Sequence, residues 1–397
     1  MVATRDPLTL IAGNIDYWQY WVSKRGSHNV AELDGERENL FRAAEYGLRY
    51  TTTAVAAATL AADLFKLVEQ RYYWRDWLNI LQQATQFTHL SPDLTITLHN
   101  HQGLLLHRLQ EHLLAVEAHA NALHLTTVHQ YPKKQLVTHG HLSNAYYRAG
   151  DYEQAQQHVK AAQMLLQQQP ETRIHDQATI HHCAGMIALA RGLFDEAITS
   201  FQQAGRLFAQ ARDILYEARA TSNLGVAYQR HGRLADANMA YHHAAALLAP
   251  THFELAKVQN WTNLGAYYTA LENDAQALAW FQKADSQPLW ASADYRQQAL
   301  VAHNLGYIFT NLNRPDEARI YLERAQNLWL TIEDKRSLGN TLIELGRMHS
   351  KLMDTELAIH YFEEALCYFA LFPEDKWVQS CAAEAAEKLQ QVKGKDG

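Results

Sequence analysis

Cysteine is scarce in this chain. Cys183, Cys367 and Cys381 are the three present in 397 residues, and no two form a CxxC pair. That excludes a disulfide framework and a thiolate zinc motif, and it suits a reducing compartment. Excess positive charge is also missing. Lys and Arg total 35 against 42 Asp and Glu, a formal net charge of −7. Direct binding to a nucleic-acid backbone is therefore not expected, although a local basic groove stays open. Long apolar runs are absent too, since the Ala-rich stretch from Ala54 to Ala62 is short and interrupted by Thr59. No membrane span is expected. The opening MVATRDPLTLIAGNI has no basic flank leading into a long apolar run, so no secretory signal is expected and the expected location is cytoplasmic. Strand-period alternation, a GxSxG elbow, a Gly-rich dinucleotide turn and HEXXH are all missing. The expectation is a non-enzyme without cofactor. Carboxylates such as Glu153, Asp195-Glu196 and Asp316-Glu317 fall where helices start, and capping or dipole effects account for them.

What the chain does have is a repeat. Arg219 to Ala244, RATSNLGVAYQRHGRLADANMAYHHA, reads as two short helices joined by a turn at Gly232. Leu224, Gly225 and Tyr228 share one face of the first; Ala237, Tyr241 and Ala244 share one face of the second. Such a hairpin cannot bury its apolar face alone. Its second-helix alanine recurs at Ala115, Ala155, Ala197, Ala237, Ala277, Ala318 and Ala358, at steps of 40 to 42 residues. Seven residues later each copy again has Ala, and twelve earlier each has Gly or Ser. Three columns of small residues at a fixed period are the signature of a stacked array. A degenerate first copy fits Leu64, Val68, Leu81 and Ala84, with Trp77 replacing the alanine. Proline sets the phase: Pro92, Pro132, Pro170, Pro250 and Pro288 separate copies, Pro373 follows the last, and Pro315 sits at a helix start.

The pattern predicts an all-α chain of about eight hairpins with capping helices. Residues 1–53 form an N-terminal helical cap, 54–372 the array, and 373–397 a capping helix with a tail. Within the cap, residues 1–12 read as a frayed lead-in. Helices follow over Asn14–Arg25 and Val30–Tyr50, with a turn at 26–29. The C-terminal helix is expected over Glu374–Val392, followed by a disordered GKDG.

NLGxxY, then Gly, then xxxxA, an aromatic and Ala resembles the tetratricopeptide repeat (TPR) over roughly residues 57–370, with a longer period than the common one. The resemblance implies a right-handed superhelical solenoid whose first helices line a concave groove, and a protein- or peptide-binding role in signalling or regulation. A second resemblance concerns Tyr17-Trp18 followed by ELDGERENLFRAAEYGL, Glu32 to Leu48. It is similar to the junction between the ATPase module and the TPR sensor of bacterial NB-ARC/STAND regulators, including MalT-like activators. No GxxxxGK[ST] loop or helix-turn-helix segment accompanies it. That leaves a standalone descendant or a sensor fragment. It also leaves a small-molecule effector-sensing domain as the alternative function, and a scaffold using its convex face as a third.

On the groove, the column before the Leu-Gly pair reads Asp63, His101, His141, Cys183, Asn223, Asn263, Asn304, Glu344, with no aliphatic residue. An amide both donates and accepts, so Asn223, Asn263 and Asn304 suit the backbone of an extended peptide. They could equally bond neighbouring helices and fix the stacking. Seven residues on, Arg108, Arg148, Arg230 and Lys351 make the column basic, with Arg347 and Arg219 near it. This suits an acidic ligand, or else a solvated helix end. Tyr307, with Leu104, Met186 and Val226, offers apolar contact or simply core. Histidine is abundant at 22, nine of them from His99 to His141, but no two are three or four apart. No metal site is expected; a pH-responsive role remains open in principle.

Overall fold

The computed structural model describes residues 6–25, 30–71, 73–168, 171, 173–287 and 294–394. The expected turn at 26–29, Pro170, Pro288 and the last three residues of the tail lie outside them. Among the described residues there are 21 helices and no strand. They group into two compact units, Met1–Asp213 and Ile214–Gly397.

The first unit opens with α1 (Pro7–Arg25), α2 (Val30–Gly35), α3 (Arg37–Gly47), α4 (Thr51–Asp63), α5 (Phe65–Arg71) and α6 (Trp74–Ala84). Two expectations change here. The lead-in is helical from Pro7, because a first-turn proline starts a helix and Ile15, Trp18 and Val22 continue one buried stripe against α3 and α4. The single helix expected over 30–50 is broken at Glu36, next to Gly35, a poor helix former. The degenerate first copy is also broken: its first helix is split at Leu64 into α4 and α5. Trp77 is fully buried all the same, and its indole donates to the Ala61 carbonyl at 3.1 Å.

Three regular hairpins complete this unit: α7 (Pro92–Arg108) with α8 (His112–Val128), α9 (Pro132–Ala149) with α10 (Tyr152–Gln168), and α11 (Ile174–Ala190) with α12 (Phe194–Gln210). The second unit holds α13 (Ile214–Arg230) with α14 (Leu234–Leu248), α15 (Glu254–Ala270) with α16 (Asp274–Asp285), α17 (Tyr295–Asn311) with α18 (Pro315–Thr331), and α19 (Lys335–Lys351) with α20 (Thr355–Phe369). The final helix α21 (Lys376–Lys393) packs on α20 and α19, and Asp375 caps it by accepting from the Trp377 and Val378 amides at 2.9 and 3.2 Å.

The small columns explain how each hairpin closes. Gly185 lies under Phe201, Gly225 under Tyr241, Gly265 under Phe281, Gly306 under Leu322 and Gly346 under Phe362. A Cβ at Gly225 would come within 2.7 Å of the Tyr241 ring. Each covering side chain is buried, and each contributes about 1.5–3 kcal/mol by leaving water. Successive hairpins are tied by polar bonds one period apart. Lys134 pairs with Asp93 at 2.6 Å in the first unit; Arg296 pairs with Asp334 at 2.5 Å and Arg324 with Asp285 at 3.0 Å in the second.

Candidate functional site

The first helices of the second unit stand side by side: α15 packs against both α13 and α17, and α17 against α19. Residues three and seven apart share a helical face. Asn304, Tyr307 and Asn311 on α17 therefore face the same way as Glu344, Arg347 and Lys351 on α19.

On this face the guanidinium of Arg347 is the hub. Its Nη2 donates to Asn311 Oδ1 at 2.6 Å, and its Nη1 donates to Glu344 Oε1 at 3.3 Å while lying 3.1 Å from Oε2. The guanidinium also lies over the Tyr307 ring, 4.8 Å from its centre, at cation–π range. Lys351 donates from Nζ to the Thr310 carbonyl at 2.7 Å. Glu344 is buried, and burial pushes its carboxyl up to about 7, against the pull of Arg347. A carboxyl held there titrates near neutrality and makes the charge of the cluster adjustable.

The other expected residues have more local roles. Asn263 donates from Nδ2 to Ser222 Oγ at 3.1 Å, across to α13, and Asn260 donates to the same hydroxyl at 3.2 Å. The Asn263 amide thus bonds the neighbouring hairpin, the stacking alternative. Asn304, half-buried, donates to the Leu300 carbonyl of its own helix at 2.8 Å. Asn223 is half-buried on α13. Arg230 is exposed at the C-terminal end of α13. Arg148 belongs to the first unit, on α9, where Nε donates to Asn144 Oδ1 at 3.2 Å. The structure therefore gathers Tyr307, Arg347 and Lys351 into one cluster and adds Asn311 and Glu344 to it. Both additions lie in the columns that define the face; Glu344 stands three residues before Arg347 on α19, a spacing visible in the sequence, whereas the Asn311–Arg347 bond is set by the register between α17 and α19, which no single-helix pattern carries. Among the described residues, no group of three His, Cys, Asp or Glu side chains is placed to hold a metal ion.

The family model described as tetratricopeptide repeat matches residues 297–366, which span α17 to α20. The chain has a tetratricopeptide-repeat fold. Solved structures agree with that reading. A Rap protein complexed with competence and sporulation factor superposes with a TM-score of 0.61 at 13% identity, over 96% of this chain and 100% of that one. The apo form of the quorum sensor NprR from B. thuringiensis gives 0.57 at 17% identity, over 82% and 89%. The anaphase-promoting-complex assembly Cut9–Hcn1 gives 0.56 at 17% identity; the match takes in 88% of this chain and spans 60% of the Cut9–Hcn1 chain. These identities speak for the fold alone. No curated protein matches by sequence. No described helix of this TPR chain is long and apolar enough to cross a membrane.

Proposed function

We propose that this chain is a peptide- or protein-binding TPR module, acting as a sensor or scaffold, with its ligand held on the first-helix face of α15, α17 and α19. The observation that carries the reading is the Tyr307–Arg347–Lys351 cluster. Two cations and an aromatic ring sit on a helical face where a closed core would place apolar side chains. Arg347 is preorganised by Asn311 and Glu344, so little side-chain entropy remains to be lost when it meets a ligand carboxylate. Asn304, one turn before Tyr307, presents an amide oxygen to a peptide N–H. Two structural neighbours lend support: one is described as complexed with competence and sporulation factor, the other as a quorum sensor. The expected ligand is an extended segment carrying Asp, Glu or a free C-terminal carboxylate.

Panning a random peptide display library on the immobilised full chain tests this. Enriched peptides should be rich in acidic residues. Asn304→Ala and Tyr307→Ala should each weaken them about ten-fold, equivalent to about 1.4 kcal/mol, with little change in Tm. No enrichment, or enriched peptides indifferent to both substitutions, would count against the reading.

A further inference from the structure

The first unit contains a feature the peptide face does not use. Histidines gather in its hairpins at positions filled by other side chains in the later ones. His119 occupies the place held by Phe201, Phe281 and Phe362 elsewhere, packed over Gly103 and fully buried. His107 lies 5.6 Å from it, centre to centre, and His141 stacks on it at 5.1 Å. His101, in the column that becomes Asn further along, stacks on Phe65 at 3.9 Å. These rings bridge α7, α8 and α9.

Their hydrogen bonding is incomplete in a specific way. His119 Nδ1 meets Asn100 Oδ1 at 2.9 Å, so Nδ1 carries the proton and Nε2 is the bare nitrogen. Nε2 is buried without a hydrogen-bond partner, as are both ring nitrogens of His107 and Nδ1 of His101. A second proton on any of these rings would have no acceptor. The charged surroundings oppose it as well. His107 faces Arg148 from α9 and Arg108 from its own helix, together with His112 and His141. His101 faces His141 and Lys134 from α9, and His119 faces His141, His107, His101 and His99. The anions facing the cluster are Glu69 on α5 and Asp176 on α11, which act on His141. Glu69 pairs with Arg108 at 2.7 Å, and Asp176 pairs with Arg173 at 2.9 Å.

We propose that this histidine cluster is an acid-sensitive switch: protonation of His101, His107, His119 and His141 opens the packing of α7, α8 and α9. Burial first, and neighbouring positive charge second, lower His101 and His107 to about 3 and carry His119 well below its ordinary value. Burial lowers His141 to about 4 despite the two anions. The sign follows. In the closed form the rings stay neutral, whereas once opened they bind protons near their ordinary value of 6.5. The open form therefore takes up more protons, and the closed form loses stability as pH falls below about 6.5, down toward the folded values. Each exposed ring multiplies the opening equilibrium by about ten between pH 7.5 and 5.5, so concerted opening of several multiplies it by powers of ten.

Amide hydrogen exchange of the full chain, read by mass spectrometry and corrected for intrinsic rates, tests this. Peptides from α7–α9 should show an opening equilibrium at least one hundred-fold larger at pH 5.5 than at 7.5. Peptides from α13–α16, where Tyr241 and Phe281 fill the place of His119, should change less than three-fold. The double substitution Asn100→Thr with His119→Phe copies the Thr262–Phe281 pair and should reduce the pH effect about ten-fold. Should that variant not fold, His141→Asn, copying the residue of later hairpins, should reduce it in the same sense. A pH response equal in both regions, or unchanged in the variants, would overturn the switch. So would loss of α7–α9 protection on adding EDTA at pH 7.5, which would make the cluster a metal site.

Discussion

At the scale of single residues, the columns were legible in the sequence and the partners were not. The spacing of Asn223, Asn263 and Asn304 placed three amides on one face. It could not say that Asn263 would reach Ser222 or that Asn304 would turn back to the Leu300 carbonyl. Those choices depend on the offset between neighbouring helices, and an offset of one turn exchanges one partner for another. Glu344 shows the same limit. Its column and its i,i+3 spacing to Arg347 were evident, but its burial arises from packing around α19. Because its carboxyl is raised, the folded form holds a proton that the unfolded form has released between about pH 4.5 and 7. Folding stability from this group is present at low pH and is lost as pH rises through that window. Glu344→Gln removes the titration. The Tm of the variant relative to the parent should rise between pH 5 and about pH 7 and level off above it. A flat difference would mean that Arg347 keeps the carboxylate ionised throughout.

At the scale of helices, the hairpins followed the small-residue columns, and the departures came where glycine or a split interrupted them. Gly35 ends α2, and the first copy breaks at Leu64 although its apolar positions are buried. Apolar spacing reports which side chains face inward; it does not report whether the backbone between them stays helical. The Gly225–Tyr241 contact tests the packing rule directly. Tyr241 is buried, and its hydroxyl donates to Gln229 Oε1 at 2.8 Å, so the ring has little room to yield. Gly225→Ala should destabilise the chain by about 1–3 kcal/mol in urea unfolding, even though Ala gains up to about 1 kcal/mol in helix propensity over Gly. A stabilised variant would show that the ring moves aside freely.

At the scale of the molecule, each unit is built on one rule used repeatedly: a small residue under a large one, and a polar bond to the next hairpin one period away. In such an array each hairpin depends mainly on its neighbours. The same fold can therefore hold a histidine core in α7–α9 and a cationic, aromatic face on α17 and α19, each tuned locally. The central claim concerns that face, and site-specific crosslinking tests it most directly. A peptide selected on the full chain is mixed with chains carrying benzoylphenylalanine in place of Tyr307, on the first-helix face, or of Ile320, exposed on α18. The account predicts efficient crosslinking from position 307 and background from 320. Crosslinking from 320 with none from 307 would place the ligand on the second helices and contradict it.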